Sequence, residues 1–248
     1  MENDLGPGDL WVQMSAEQQL STNLAVTFLS YGYILLMILI SDRTEKAFKW
    51  SRRASRKLLH ILIGNFPFII LLFSESIFPV VIASSFILVT FLATPYSPFK
   101  GVRQKLMGLQ DTTSEGHTLG LVFYAVSYTI LAAAFFGSPY IIAAGILPMA
   151  YGDSLASLIG QRYGKRKYKL FAQKTIEGSL AVFLGSIISV VCGLGFYAFF
   201  FPFSLFEILL LSTGVASIAT IVEGISPSGL DNLTVPICCA LFVFLMRV

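Results

Sequence analysis

The chain has 248 residues, of which 55% are hydrophobic and only 12% are charged, with a mean hydropathy of +0.76 and a formal net charge of +3. A soluble domain usually carries about 25% charged residues. This composition excludes a soluble globular protein, because too few polar side chains are present to cover a surface in water.

The first residues, 1–21, form an acidic segment that lacks the positively charged start of a secretory signal or a transit peptide. We expect this segment to lie outside the cytoplasm and to precede a single transmembrane catalytic domain over 22–248. The three cysteines, Cys192, Cys238 and Cys239, lie in apolar runs without metal-site spacing. They are therefore interpreted as small membrane-buried residues.

Long apolar runs predict the membrane-spanning elements, because an α-helix needs about 20 apolar residues to cross roughly 30 Å of hydrocarbon. The predicted fold class is all-α, a polytopic membrane helix bundle of about eight transmembrane helices, with seven or nine as alternatives. The predicted spans in chain order are 22–40, 58–74, 77–94, 118–136, 139–159, 175–199, 204–222 and 232–247.

Basic residues gather in three of the connections between these spans. Loops 41–57, 94–117 and 160–174 hold seven, three and six Lys or Arg residues, which leaves only Arg247 of the 17. Such residues accumulate in cytoplasmic loops, and with eight spans all three loops lie on one side. The pattern predicts that the N-terminus lies outside. The membrane would be the cell membrane of a prokaryote, or the ER or plastid membrane of a eukaryote.

Most of the chemically interesting polar residues lie at the cytoplasmic ends of the predicted spans. They are His60, Glu115, His117, Asp153, Lys174, Glu177, Glu223, Asp231 and Asn232. On the outer side, acidic residues are confined to Glu75, Glu207 and the N-terminal segment. Ionisable residues within a membrane are costly and mark functional sites, so the pattern predicts a site at the inner face.

Asp153 and Glu223 are predicted to lie near the C-terminal ends of their helices, where the helix dipole disfavours a carboxylate. A partly desolvated carboxylate at such a position requires a cation or a proton as its partner. Together with Asp231 they suggest a divalent metal site, and oxygen ligands of this kind suit Mg²⁺. Glu177 and Asp231 each begin a predicted helix, so ordinary helix capping is an alternative for either residue.

Small residues recur along the fifth predicted span. Gly152, Ala156 and Gly160 repeat at helical spacing, which favours close packing of a neighbouring helix over a phosphate-binding loop. Gly160 and Gly164 begin a flexible turn, QRYGKRKY, that could close over a nucleotide. The basic loop also suits anionic lipid headgroups, and the two interpretations are compatible. The candidate nucleotide-binding residues here are Gly152, Gly160, Gly164, Lys165, Arg166 and Lys167.

Lys174 and Glu177 lie three residues apart and so near one face of a predicted helix. A lysine at a helix start that points toward metal-bound phosphates recurs in phosphoryl transfer. A simple Lys–Glu pair at the membrane surface is the alternative. His60 and His117 are further catalytic candidates, although a lone interfacial histidine is more often a hydrogen-bonding residue than a catalyst.

Three motifs, in order along the chain, resemble the family of CTP-dependent polyprenol kinases, which includes phytol kinase and dolichol kinase. They are RKLLHILIG at 56–64, GDSLASLIGQRYGKRKY with KTIEGSLAVFLGSII at 152–188, and EGISPSGLDNLTVP at 223–236. The resemblance implies transfer of the γ-phosphoryl group of CTP to an isoprenoid alcohol such as phytol, geranylgeraniol or dolichol. It also implies Mg²⁺ or another divalent cation and a site at the cytoplasmic face.

The resemblance also implies roles for individual residues. The residues expected to position metal and phosphates are Asp153, Glu223 and Asp231. Lys174 is expected to contact the phosphates, and Glu177 to orient Lys174 or ligate the metal. Asn232 is expected to hydrogen-bond the nucleotide or a metal-bound water, and His60 to position the acceptor hydroxyl or take its proton.

Other functions fit parts of the same pattern. CTP-dependent diacylglycerol kinases are similar, and a cytidylyltransferase that forms a CDP-lipid would use the same metal and nucleotide but attack the α-phosphorus. A small-solute transporter predicts ionisable residues near mid-membrane on both half-paths, whereas the outer half here is almost bare of charge. The expected partners are CTP, a lipid alcohol and membrane lipids, without nucleic acid.

Overall fold

The structure, a computed structural model, describes residues 14–48, 52–106, 118–171, 173–227 and 229–247. These residues form a helical bundle with one small β-hairpin. The helices, numbered in chain order, are α1 (Ala16–Phe48), α2 (Arg52–Ile63), α3 (Phe66–Ile70), α4 (Ile77–Leu92), α5 (Lys100–Leu106), α6 (Gly120–Phe135), α7 (Pro139–Leu147), α8 (Asp153–Tyr163), α9 (Ile176–Tyr197), α10 (Leu205–Ile225) and α11 (Asp231–Arg247).

The bundle has the surface of an integral membrane protein. Large apolar side chains such as Phe28, Leu88 and Ile188 are exposed on its outside, which lipid tolerates and water does not. Among the described residues, the segments long and apolar enough to cross a membrane are Ala16–Ser41, Pro139–Tyr163, Ile176–Tyr197 and Leu205–Ile225. The shorter apolar helices are Lys57–Ile70, Ile77–Leu92 and Gly120–Phe135. All eight predicted spans are largely helical, while the number of crossings and the side of the N-terminus stay predictions.

The connection between the first two predicted spans is mostly helical rather than a loop. α1 continues to Phe48 and α2 already begins at Arg52, so little of the predicted loop 41–57 is left between them. Lys57 therefore lies inside a helix, and only 8% of its surface is exposed. A basic residue that the charge pattern places in the cytoplasm is in fact part of the packed bundle.

The second predicted span, 58–74, is broken into α2 and α3 at Gly64 and Asn65. A Cβ atom at Gly64 would lie 2.3 Å from the Cβ of Ala150, so glycine permits the close approach of the broken segment to its neighbour. Pro67, in the first turn of α3, has no N–H to donate. The break is thus encoded by a small residue followed by a proline.

Backbone carbonyls around this break are satisfied by tyrosines from neighbouring helices. We call Tyr33, Tyr124, Tyr128 and Tyr197 the tyrosine cluster. Their hydroxyls donate to the carbonyl oxygens of Leu62, of His60 at 3.4 Å, of Ile63 at 2.8 Å and of Pro67 at 2.9 Å, respectively. Within a membrane, backbone polar groups must find partners inside the protein, so these hydrogen bonds stabilise the interruption.

The fifth predicted span runs further than expected. It consists of α7, a π-helical turn at Pro148–Gly152, and α8, which continues to Tyr163. π-Helical turns occur frequently at functional sites. Asp153 follows this turn directly and lies well inside the continuous helical segment Pro139–Tyr163. The prediction that Asp153 lies near a C-terminal helix end is wrong, because the polar residues after it extend the helix instead of ending it.

Small residues bring α8 and α9 into close contact. A Cβ atom at Gly152 would lie 2.5 Å from Ser186 Oγ, and one at Gly185 would lie 3.2 Å from the Cα of Gly152. Only residues without a side chain fit at this crossing. The small-residue stripe of the fifth span serves helix packing, as the sequence predicts.

The turn QRYGKRKY, predicted to be flexible, leads into a β-hairpin. Strand β1 (Lys167–Lys169) pairs antiparallel with β2 (Gln173–Thr175), and Tyr168 lies opposite Lys174. Thr175 caps α9, because its hydroxyl accepts the N–H of Gly178 at 3.1 Å. Apart from this hairpin the described fold is all-α. Lys174 lies in a strand and not, as predicted, at the start of a helix.

Candidate active site

Three buried carboxylates from three helices meet at one end of the bundle. Asp153 begins α8, Glu223 lies close to the end of α10, and Asp231 begins α11. One ligand oxygen from each residue lies within 4.8 Å of the others, and all three residues are buried. We call Asp153, Glu223 and Asp231 the carboxylate cluster. The structure thus brings together the three residues proposed as metal ligands from the sequence.

The connection between α10 and α11 places two of these carboxylates side by side. Gly229 has a φ of 90°, a conformation that glycine adopts without steric cost. Asp231 accepts the backbone N–H of Asn232 at 3.0 Å, and the Asn232 side chain donates to the Gly229 carbonyl at 3.2 Å. The Oδ1 atom of Asn232 is buried and has no hydrogen-bond partner among the described residues. This orphaned acceptor fits the predicted role of Asn232 in binding a nucleotide or a water molecule.

Two lysines compensate the negative charge of the carboxylate cluster. Lys57 from α2 forms an ion pair with Asp153. Lys174 from β2 forms an ion pair with Glu223, and its Nζ lies 3.6 Å from the Oδ2 of Asp231. Buried charges are tolerated only when they are paired. With three carboxylates and two lysines, these five groups carry one excess negative charge, which favours a cation as a further partner.

Lys174 lies outside the membrane-spanning segments and holds its proton strongly. Burial alone would lower the pKa of this amine, but the nearby carboxylates of Glu223 and Asp231 outweigh burial and raise the pKa of Lys174. Its side chain is 19% exposed, so the ammonium group can still be reached from outside the cluster. Lys174 is therefore a permanent positive charge at the edge of the site.

Lys57 is a site residue that the charge pattern alone does not reveal, because it belongs to a run of seven basic residues at 41–57. Its helical spacing from His60 is the signal that could have found it. Residues three apart share one face of a helix, and the face of α2 with Lys57 and His60 packs against Asp153. The carbonyl of Lys57 also accepts the Ser154 hydroxyl at 3.3 Å, which fixes α2 against α8.

His60 lies in the interior of the bundle rather than at its surface. The centroid of its ring lies 4.6 Å from that of Tyr124, with a tilt of 35° between the ring planes. His60 lies one helical turn after Lys57, which forms the ion pair with Asp153. The structure therefore places this histidine beside the carboxylate cluster, while its part in catalysis stays a prediction.

Glu177 does not pair with Lys174. Both of its carboxylate oxygens accept the backbone N–H of Arg166 at 3.3 Å, which links the start of α9 to the hairpin. The prediction that Glu177 orients Lys174 fails because Lys174 belongs to a strand, so the two residues do not share a helix face. Glu177 contributes to the site indirectly, by holding the hairpin that carries Lys174.

The glycines proposed to bind the nucleotide are occupied by protein contacts. A Cβ atom at Gly164 would lie 2.1 Å from the Gly160 carbonyl oxygen, and one at Gly160 would lie 3.0 Å from the Thr175 hydroxyl. Gly152 is packed against α9 in the same way. These contacts support a packing role for the three glycines in place of the predicted nucleotide contacts.

The basic residues Lys165, Arg166 and Lys167 are exposed on the hairpin. Side chains alternate between the two faces of a strand, so Lys167 faces away from the side that carries Tyr168 and Lys174. Contacts of these three residues with a nucleotide stay a prediction. Glu115 and His117, the other polar residues expected at the inner face, lie outside the described residues, as do residues 1–13 of the acidic segment.

The carboxylate cluster fits a hard divalent cation. All of its donors are carboxylate oxygens, which are the ligands that Mg²⁺ prefers. Oxygens bound to one Mg²⁺ at about 2.1 Å lie at most about 4.2 Å apart, so a spacing within 4.8 Å needs only small side-chain rotations. Lys174, the more exposed of the two lysines, would then be able to contact an anionic ligand, while Lys57 stays beside Asp153.

Comparison with known proteins shows relatives with related names. The chain is 41% identical to a phytol kinase of Synechocystis sp. over 132 residues, covering 52% of this chain and 54% of the relative. It is 32% identical to the dolichol kinase of Saccharomyces cerevisiae over 216 residues, which cover 84% of this chain and 39% of the relative. It is 29% identical to CTP-dependent diacylglycerol kinase 1 of Eremothecium gossypii over 159 residues, which cover 56% of this chain and 48% of the relative.

In each of these three comparisons, the matched region spans about half the length of the relative or less. No protein-family profile and no solved structure matches the chain.

Proposed function

The chain belongs to the family of CTP-dependent polyprenol kinases, and from this premise we propose that it transfers the γ-phosphoryl group of CTP to the hydroxyl of an isoprenoid alcohol. The single observation that carries the proposal is the carboxylate cluster with its two lysines. It combines charges that suit a metal–triphosphate complex with a position inside a bundle whose outer surface suits lipid.

The proposed reaction is an in-line displacement at phosphorus. The hydroxyl oxygen of the acceptor forms a bond to the γ-phosphorus, and the bond from that phosphorus to the β–γ bridging oxygen breaks. CDP leaves with the electron pair of that bond, and the hydroxyl proton passes to a base. Such a reaction needs positioning and charge neutralisation more than covalent chemistry. The carboxylates and lysines of the site are groups that serve both needs.

Mg²⁺, held by Asp153, Glu223 and Asp231, would neutralise charge on the phosphate oxygens. Lys174, the more exposed of the two lysines, donates to the phosphates from the open side of the site. Lys57 holds Asp153 in place from the opposite side. Buried ammonium groups act strongly on the charge that develops on the transferring group, because little water screens them.

His60 is the proposed binding group for the acceptor hydroxyl. It lies one helical turn after Lys57, the partner of Asp153, and its ring lies against that of Tyr124 in the apolar interior. A neutral imidazole nitrogen can accept the hydroxyl proton as the new bond forms. The site is proposed to face the cytoplasm, where CTP is found and where the basic loops are predicted to lie.

Diacylglycerol is the second candidate acceptor, because one relative is named as a CTP-dependent diacylglycerol kinase. The same metal, nucleotide and lysines would serve this reaction, since only the lipid that carries the hydroxyl differs. The carboxylate cluster does not distinguish the two acceptors, and the choice depends on the part of the bundle that holds the lipid tail.

A nucleotide-by-acceptor screen tests the proposal. Protein purified in detergent is incubated with Mg²⁺ and each of CTP, ATP, GTP and UTP, together with phytol, geranylgeraniol, a dolichol or diacylglycerol. We expect CDP and a prenyl phosphate to form from CTP. Pyrophosphate in place of CDP would identify a cytidylyltransferase, and the absence of product with every acceptor would refute the proposed kinase.

A further inference from the structure

An apolar groove lies between α1, α2, α4 and α6. Its wall is formed by aliphatic and aromatic side chains, and the space along it, counted up to its open side, is about 620 Å³. The helices around the groove belong to the apolar bundle, so its contents would exchange with lipid hydrocarbon.

The polar atoms in the wall of this groove already have partners. The Tyr128 hydroxyl donates to the Ile63 carbonyl at 2.8 Å, and the Tyr124 hydroxyl donates to the His60 carbonyl at 3.4 Å. The Thr90 hydroxyl donates to the Phe86 carbonyl at 2.6 Å. The groove therefore presents hydrocarbon to its contents, which excludes a nucleotide or a lipid headgroup as the occupant.

One end of the groove adjoins the candidate active site. Leu59 lines the groove and is the chain neighbour of His60. Tyr124 also lines the groove, and the centroid of its ring lies 4.6 Å from that of His60. Because His60 lies one helical turn after Lys57, which pairs with Asp153, the polar head of a chain bound in the groove would be directed toward the carboxylate cluster.

We propose that this groove binds the hydrocarbon tail of a single-chain prenyl alcohol and so directs its hydroxyl to His60. The inference rests on the proposed kinase function and adds the place and the class of the acceptor. One groove accommodates one chain, whereas diacylglycerol has two. The methyl branches of a prenyl chain match a wall of branched and aromatic side chains such as Ile34, Ile82 and Phe86.

The groove acts through orientation rather than through hydrophobic attraction. A prenyl tail gains little by moving from the bilayer to the groove, because lipid tails are as apolar as the leucines of a protein. A fixed tail, however, holds the hydroxyl near the γ-phosphorus, which converts a chance encounter into an almost unimolecular reaction. The groove should therefore affect acceptors according to chain length and leave CTP binding unchanged.

Kinetics of a matched pair of α4 variants tests this inference. Ala83 lines the groove and is buried, whereas Leu88 on the same helix is 62% exposed on the outer surface. Ala83→Phe should lower kcat/KM for geranylgeraniol at least tenfold, while the KM for CTP and the kcat/KM for a five-carbon alcohol change less than twofold. Leu88→Phe should change none of these. Equal effects of Ala83→Phe on long and short alcohols, or no effect, would overturn the inference.

Photo-crosslinking tests the groove without relying on activity or on a variant that folds. A geranylgeraniol analogue with a diazirine in its tail is irradiated with the wild-type protein in vesicles, and the labelled peptides are identified by mass spectrometry. Labels should lie on α4 and α6 and be lost on competition with phytol but not with diacylglycerol. If the wild-type protein is an active kinase but the labels lie on other helices, the groove is not the tail site and the proposed function still stands. If the wild-type protein has no kinase activity, the proposed function itself is refuted. Displacement by diacylglycerol would refute the single-chain class.

Discussion

At the scale of single residues, the ion pair between Lys57 and Asp153 shows how this bundle accommodates charge. Both side chains are about nine-tenths buried, and each is the partner that makes the burial of the other tolerable. A neutral substitution of one partner alone leaves the other charge without compensation. The effects of such a variant on catalysis and on stability must therefore be separated.

We expect Asp153→Asn to reduce kcat about 10²–10³-fold, as the loss of one group that stabilises transition-state charge typically does. It should also destabilise the protein, by up to about 3–5 kcal/mol, because Lys57 becomes an unpaired buried charge. The double variant Lys57→Met with Asp153→Asn is the control. It should recover the melting temperature of the wild type in detergent and remain inactive. Activity near the wild-type level in either variant would remove Asp153 from the site.

Lys174 gives a prediction about pH. Its pKa is raised in the folded protein, so its ion pairs contribute their full stabilisation below the pKa of an unfolded lysine, about 10.4. This stabilisation is lost as the pH rises further, through the raised pKa of the folded state. The difference in melting temperature between wild type and Lys174→Met should be constant from pH 7 to about 10 and shrink above that. A difference that already shrinks near neutral pH would contradict the raised pKa.

At the scale of elements, the break between α2 and α3 positions the site from the side opposite to the hairpin. Gly64 and Pro67 end one helix and begin the next, and the tyrosine cluster satisfies the carbonyls around the break. The break allows α2 to pack its Lys57 and His60 face against Asp153. The π-helical turn at Pro148–Gly152 lies directly opposite, since Gly64 approaches Ala150.

Removal of one hydroxyl from the tyrosine cluster should measure how much this arrangement contributes. Tyr128→Phe leaves the Ile63 carbonyl without this donor inside the bundle, and an unsatisfied buried acceptor costs about 1–3 kcal/mol. The melting temperature in detergent should fall by several degrees. Tyr96→Phe is the matched control, because Tyr96 is 66% exposed and its variant should melt with the wild type. Equal melting temperatures for all three proteins would show that the break does not need this hydrogen bond.

The hairpin is the element that local sequence describes least well. Its six basic residues at 160–174 are typical of a solvated cytoplasmic loop, and a three-residue strand is too short for its alternation to be recognised. Its strands are held by their own pairing and by a hydrogen bond of 2.7 Å between the hydroxyls of Tyr168 and Ser179. Lys174 reaches the carboxylates because it lies opposite Tyr168 in that pairing.

At the scale of the whole molecule, the carboxylate cluster lies at the end of the bundle that carries the hairpin and the end of α10. The predicted loops 41–57 and 160–174, which contribute Lys57 and Lys174 to this end, hold most of the basic residues. The charge that orients a chain in a membrane is thus at the same end as the charge that would bind a nucleotide. This coincidence makes the sidedness of the protein a test of its proposed use of cytoplasmic CTP.

Cysteine labelling in vesicles of known orientation should reveal this sidedness. Lys169→Cys on the exposed hairpin should react with a membrane-impermeant maleimide only when the cytoplasmic face is accessible. Ser15→Cys, just before α1, should react only from the other face, if the bundle has eight crossings. The wild-type protein, with its three native cysteines, measures the background. If both positions were labelled from the same face, an even number of crossings would separate them. The predicted spans, which place an odd number between them, would then be wrong.

The sequence by itself determines the class of protein and the chemistry of the site. Apolar content decides that the chain enters a membrane, because no arrangement of these residues could cover a soluble surface. The isolated carboxylates Asp153, Glu223 and Asp231 indicate the end at which the site is proposed, because each is too costly to bury without a function or a partner. Both conclusions depend on the free energy of transferring single residues from water to an apolar environment, which is a local property of each residue.

Only the tertiary structure decides which groups meet. Lys57 belongs to the site because α2 is helical and turns it toward Asp153, and Glu177 is displaced from Lys174 because a strand replaces a helix start. The glycines of the fifth span pack against α9 and its N-cap rather than a phosphate, because α9 crosses the fifth span at the positions of these glycines. Such pairings depend on distances between segments far apart in the chain, which helix periodicity and charge patterns do not encode.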